Sequence, residues 1–121
     1  MNFYNDASPN DGDKTQRAYN AGANIARSRM STEDPLAAEA LAAIQASDIV
    51  VVTGCYDHVE RVLGALDVPY KAVGSGLLRQ VRLRPDQMVV VNCPGNLTGP
   101  EIVQIRDFVA AGGTLFTTAW A

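Results

Sequence analysis

The chain has 121 residues, of which 47% are hydrophobic and 19% are charged, and its formal net charge is −3. This composition supports one hydrophobic core of ordinary domain size and excludes an intrinsically disordered chain. It provides no basic surface for nucleic acid or an anionic membrane, and no apolar run approaches the roughly 20 residues that cross a bilayer. Two cysteines and one histidine exclude a disulfide scaffold and a four-ligand zinc module built from Cys and His alone.

The first 34 residues are predicted to be a polar, partly helical extension, and residues 35–121 to be the main domain. The stretch from Lys14 to Met30 has a thin apolar stripe, which predicts a helix that needs a partner surface to stay ordered. The N-terminus is polar and acidic, unlike a signal peptide, so we expect a cytoplasmic protein.

The segment 35–46 has a strong helical pattern. Pro35 suits a first turn, where its missing N–H would be unpaired anyway, and Asp34 is one of the residues able to cap the helix. The buried side of this helix is expected to consist of Leu36, Leu41 and Ile44.

Four short apolar runs predict β-strands. The runs at 49–52 and 88–91 are continuous rather than alternating, which is typical of parallel strands buried on both faces. Shorter runs at 70–73 and 114–118 predict two further strands.

Helices between these runs are predicted over 57–66 and 98–111, with a helical turn at 77–79. Thr98 and Glu101 have the spacing of a capping box. The alternation of strands and helices predicts an α/β fold, specifically a flavodoxin-like three-layer parallel sheet with an N-terminal helical extension. The most economical strand order for these crossovers is 2-1-3-4.

The segment 88–121 has a distinctive order of elements. A strand is followed by a Pro-Gly turn at 94–95, an amphipathic helix, Phe-Val-Ala-Ala-Gly-Gly at 108–113 and Thr-Leu-Phe-Thr-Thr at 114–118. This order resembles the third and fourth strands of class I glutamine amidotransferase-like domains and of the related trehalose-utilisation-type domains. The resemblance extends over about residues 48–121.

The resemblance does not include the catalytic residues of that family. Catalytic members have a cysteine on a sharp turn just after the fourth strand, where this sequence reads Thr117-Thr118-Ala119-Trp120-Ala121. Their catalytic histidine and glutamate lie further along, beyond the segment that this sequence contains. The resemblance therefore implies a non-catalytic domain for protein assembly or ligand binding. Because the fourth strand would expose an edge, we expect a homo-oligomer or a larger parent protein.

Two loops contain most of the residues suited to chemistry. They follow the first and third strands, whose carboxyl ends are neighbours at the switch point of a 2-1-3-4 sheet, where ligands bind in such folds. The ligand-binding candidates in these loops are Gly54, Tyr56, Asp57, Asn92 and Gly95. The catalytic candidates are Cys55, His58 and Cys93.

The two cysteines have several interpretations. Cys55 precedes a predicted helix N-terminus, which favours a thiolate, and with His58 as base it would be a nucleophile. Cys55, Cys93 and His58, with Asp57, would instead hold a metal. The two thiols would form a reversible disulfide if their Cα atoms lie within about 7 Å. The simplest interpretation is that small, buried residue types suit strand ends.

No cofactor or metal is predicted. Gly74-Ser75-Gly76 would cradle a phosphate, but it lacks the dinucleotide-binding spacing and follows the second strand. The favoured hypothesis is therefore a non-catalytic domain. The alternative is a cysteine-dependent hydrolase or redox enzyme that uses Cys55 or Cys93.

Overall fold

A computed structural model describes residues 9–118, with side chains from residue 14 onward. Ala119 and Trp120 lie outside the described residues. In the resemblance, Ala119 stands where catalytic members of the family have their cysteine. The elements in chain order are α1 (Pro9–Glu33), α2 (Pro35–Ala42), β1 (Ile49–Val52), α3 (Val59–Ala65), β2 (Lys71–Val73), a 3₁₀ turn (Leu78–Gln80), β3 (Met88–Val91), α4 (Gly99–Ala110) and β4 (Thr114–Thr117).

The four strands form one all-parallel sheet in the order β2-β1-β3-β4. This confirms the predicted α/β class and strand order, and the arrangement is that of a flavodoxin-like fold. The central strands β1 and β3 are paired in register from Ile49 with Met88 to Val52 with Val91. Their valines are buried, because helices cover both faces of the sheet at this point.

Two hydrophobic clusters cover the two faces. On the first face, strand residues pack against α4 and the 3₁₀ turn, in a cluster of Val50, Val52, Val73, Leu78, Val89, Val91, Ile105 and Phe108. On the second face, the buried cluster comprises Ile49, Val51, Val68 and Val90. Apolar residues of α2, α3 and the adjoining loops pack against this second cluster: Leu41, Ile44, Val59, Leu63, Leu66 and Tyr70.

Helix α1 is longer than the predicted span of 14–30 and packs against α2 and α3. Within α1, Ala23 is buried. Arg27 donates a hydrogen bond to the carbonyl oxygen of Ala65 at 3.4 Å and forms an ion pair with Asp67 at 3.3 Å. These contacts attach α1 to the C-terminal end of α3. Among the described residues, no helix combines the length and the apolar character needed to cross a membrane.

Helix α2 begins as predicted, because Asp34 accepts a hydrogen bond from the N–H of Ala37 at 3.1 Å. It ends at Ala42, four residues before the predicted end. The prediction that Leu36 is buried is wrong, since this residue is 77% exposed. At about 100° per residue, Leu36 lies about 140° round the helix from Leu41, which packs on the sheet.

Helix α4 begins with the predicted capping box. The hydroxyl of Thr98 accepts from the N–H of Glu101 at 3.3 Å, and the carboxylate of Glu101 accepts from the N–H of Thr98 at 2.9 Å. The other carboxylate oxygen accepts from the N–H of Leu78 at 3.0 Å. The hydrogen bond from the backbone of Thr98 is the largest cause that holds the pKa of Glu101 below its ordinary value, while burial opposes it.

Candidate functional site

The two candidate loops lie side by side at the carboxyl ends of β1 and β3. The pairing of Val52 with Val91 brings the strand ends together, and the N–H of Asn92 continues the ladder by donating to the carbonyl oxygen of Val52 at 3.2 Å. The loops 53–58 and 92–96 thus meet at the switch point of the sheet.

Gly54 allows the two loops to approach each other closely. The N–H groups of Cys55 and Tyr56 both donate to the carbonyl oxygen of Cys93, at 3.0 and 3.3 Å. A Cβ atom placed on Gly54 would lie 2.2 Å from that oxygen and 2.9 Å from the Cβ of Asn92. Gly54 is therefore required for loop packing, which accounts for it without a ligand.

The two cysteines differ in their surroundings. Cys55 is exposed, whereas Cys93 is only 6% exposed. Burial raises the pKa of the Cys93 thiol, and the negative charges of Asp57 and of a Cys55 thiolate add to this effect. Cys93 is thus a poor nucleophile toward reagents in solution, and Cys55 is the accessible thiol.

Helix α3 begins two residues later than predicted, at Val59, with His58 as its N-cap residue. Asp57 therefore precedes the cap instead of occupying it or the first turn. Cys55 lies four residues before the first helical residue, and a helix dipole acts only within about one turn of the helix end. The start of α3 therefore does not lie beside Cys55, as the predicted helix start at residue 57 implied.

Asn92 caps α3 from the neighbouring strand. Its side chain is 1% exposed, and its carbonyl oxygen accepts from the N–H of Val59 at 3.1 Å. Its amide nitrogen donates to Glu60 at 2.8 Å, and the other oxygen of Glu60 lies 3.3 Å from Nδ1 of His58. The side chain of Asn92 thus joins the end of β3 to the first turn of α3, while its backbone oxygen accepts the turn hydrogen bond from Gly95.

Glu60 is the residue of this network that the sequence patterns did not indicate. An acidic residue in a first turn is ordinarily explained by the helix dipole, so no local signal connects Glu60 with Asn92, 32 residues away. Thr118 was also missed as a partner of the site. Its hydroxyl accepts a hydrogen bond from the N–H of Cys93 at 2.7 Å, which connects the loop after β3 to the end of β4.

The remaining candidate residues differ in their exposure and backbone conformation. Tyr56 is 76% exposed, and Asp57 is half-buried. Gly95 has φ of +68°, a left-handed conformation that favours glycine, so the turn itself explains this residue. Within the described residues, the ring of His58 makes no hydrogen bond to either cysteine sulfur.

A separate cavity of about 530 Å³ lies on the face of the sheet that α4 covers. Arg79 and Arg82 border it, together with Phe108 and Gln104. The Oε1 atom of Gln104 is buried without a hydrogen-bond partner in the described part of the chain. No residue of the two cysteine loops lines this cavity, and the sequence patterns did not indicate it.

The described residues contain no group of three or more His, Cys, Asp or Glu side chains arranged to hold a metal ion. No protein-family model, curated protein or solved structure matches this chain. No matching protein adds information about the site at the strand ends, so only the contacts within this chain define it. It is a tightly packed junction of two loops that contains one exposed and one buried thiol.

Proposed function

We propose that this chain is a non-catalytic, amidotransferase-like domain that assembles with a second copy of itself through strand β4. The main support for the proposal is that β4 lies at the edge of the sheet. Within residues 9–118, β4 pairs with β3 on one side and with no strand on the other. Thr114 and Thr118 direct their N–H groups to β3, so by alternation the N–H groups of Leu115 and Thr117 face the open side.

Apolar side chains flank this edge on both faces of the sheet. Leu115 is in register with Val89 on the α4 face and is 38% exposed. Phe116 is in register with Val90 on the opposite face and is 51% exposed. A strand added at this edge would cover part of both side chains and satisfy the open backbone groups, so hydrophobic burial and hydrogen bonding both favour pairing.

The two edges of the sheet differ in how well they are protected against pairing with another strand. At β2, the exposed Lys71 lies within the strand and Pro69 lies just before it, and both residue types discourage the addition of another strand. The β4 sequence Thr114-Leu115-Phe116-Thr117 contains no charged residue and no proline. Within residues 9–118, β4 is the one unprotected edge, so two chains joined antiparallel through β4 form a closed twofold dimer rather than a filament.

The candidate hydrolase site is less well supported. A cysteine hydrolase needs a thiolate with a base in hydrogen-bond reach. The pKa of Cys93 is raised by burial, and neither sulfur bonds to His58 within the described residues. Assembly through β4 therefore agrees better with the arrangement of the side chains than hydrolysis does.

Sedimentation equilibrium over a concentration series tests the proposal. We expect the wild-type chain to have the mass of a dimer, and Leu115→Lys and Phe116→Lys to sediment as folded monomers. Leu36→Lys is the matched control, because Leu36 is a more exposed leucine on α2, and this variant should remain dimeric. A monomeric wild-type chain would contradict self-assembly. Equal dissociation of the Leu36→Lys control would contradict the assignment to β4.

A further inference from the structure

The backbones of Cys55 and Cys93 are adjacent at the ends of β1 and β3. The N–H of Cys55 donates to the carbonyl oxygen of Cys93 at 3.0 Å. With standard N–Cα, C=O and Cα–C bonds and ordinary hydrogen-bond angles, this contact puts the two Cα atoms about 5–6 Å apart. Disulfides join residues whose Cα atoms are about 4.4–6.8 Å apart. The folded backbone therefore meets the distance requirement of a disulfide.

The two thiols differ in their access to dissolved reactants. Cys55 is exposed, so a small molecule in solution reaches its sulfur directly. Cys93 is buried, and its pKa is raised by burial and by the negative charge of Asp57. Since the thiolate is the reacting form, Cys93 is protected against reagents in solution. The sulfur that can reach Cys93 is the one already held on the neighbouring loop, that of Cys55.

We propose that Cys55 and Cys93 form a reversible disulfide site whose reactant is a small-molecule disulfide, such as oxidised glutathione. The Cys55 thiol loses its proton, and its sulfur attacks one sulfur of the small disulfide. The S–S bond of the reactant breaks, a mixed disulfide forms on Cys55, and the first small thiol leaves with the released proton.

Cys93 completes the exchange. Its thiol loses a proton, and its sulfur attacks the Cys55 sulfur of the mixed disulfide. The bond between Cys55 and the small molecule breaks, the Cys55–Cys93 bond forms, and the second small thiol leaves with that proton. The protein loses two electrons and two protons, and the small disulfide gains both. The exchange does not require assembly through β4.

Mass spectrometry of the native chain treated with oxidised glutathione tests the inference. The wild-type chain is expected to lose two hydrogens, to retain no glutathione and to become unreactive toward N-ethylmaleimide. Cys93→Ser should stop at the mixed disulfide, with one glutathione attached to Cys55. Cys55→Ser should react at least about tenfold more slowly, because Cys93 is buried.

Two controls keep the result interpretable. Circular dichroism checks that each variant is folded during the reaction, and Cys93→Ala, which keeps a small apolar side chain, replaces Cys93→Ser if the serine variant unfolds. Non-reducing electrophoresis distinguishes a bond within one chain from a bond between chains. A folded wild-type chain that retains one glutathione, or that forms only cross-links between chains, would overturn the proposal. Equal rates for Cys55→Ser and the wild type would also overturn it.

Discussion

The carboxylate of Glu101 accepts a hydrogen bond from the backbone N–H of Leu78 at 3.0 Å, and both residues are completely buried. This contact attaches the 3₁₀ turn of the irregular crossover to the first turn of α4. One turn further along α4, Gln104 donates to the carbonyl oxygens of Leu78 and Val81, at 3.2 and 3.0 Å. Side chains of α4 thus bind backbone groups of the crossover, among them the N–H of the buried Leu78 and the carbonyl oxygen of Val81.

Replacement of Glu101 by glutamine is expected to destabilise the fold. The carboxylate accepts from the N–H groups of both Thr98 and Leu78, whereas a glutamine amide presents one of them with an N–H group instead of an oxygen. We expect the free energy of unfolding to fall by about 1–3 kcal/mol, measured by urea denaturation. Glu39→Gln, on the exposed side of α2, should change it by less than about 0.5 kcal/mol.

The same carboxyl predicts a pH dependence of stability. Its pKa is lower in the folded than in the unfolded chain, so its contribution is fully present above the ordinary pKa of an unfolded glutamate. The contribution is lost as the pH falls through the lower folded pKa. The stability difference between the wild type and Glu101→Gln should therefore be largest near neutral pH and shrink in acid. A constant difference from pH 7 into the acid range would contradict the role of this ionised carboxylate.

Replacement of Asn92 by alanine is expected to loosen the junction between β3 and α3. It removes the acceptor for the N–H of Val59 and the donor to Glu60, and it leaves both partners without this contact. We expect a loss of about 2–3 kcal/mol in the free energy of unfolding. Thermal and urea denaturation measure this loss. Asn96→Ala, at an exposed position in the same loop, is the control and should be nearly neutral in both measurements.

Alanine substitutions at two glycines should have opposite effects. At Gly54, the added Cβ would lie 2.2 Å from the carbonyl oxygen of Cys93, so the loops must separate and the folded state loses stability. At Gly64, within α3, no atom outside the adjacent residues and the helix's own backbone lies within 4 Å of the added Cβ, and alanine should stabilise the helix by about 0.5–1 kcal/mol. Thermal denaturation of both variants measures the difference. Equal melting temperatures would show that the close approach of the loops is not required.

Local sequence patterns predicted most of the framework. The continuous apolar runs at 49–52 and 88–91 and the capping box of Thr98 and Glu101 were recognisable because their signals lie within a few adjacent residues. The predicted burial of Leu36 failed because the packing of an eight-residue helix depends on which way it faces the sheet, and its own apolar pattern did not specify that direction.

The sequence by itself determined the parallel sheet, its strand order and the proximity of the two cysteine loops, because short-range periodicity and the handedness of crossovers restrict the arrangement of strands. The tertiary structure alone decided which thiol is buried, what Asn92 binds and that Glu101 also binds the N–H of Leu78. Those properties depend on atoms 23–33 residues apart in the chain, such as Leu78 with Glu101 and Val59 with Asn92. Such contacts leave no local pattern, because the partner backbone N–H is the same in every non-proline residue.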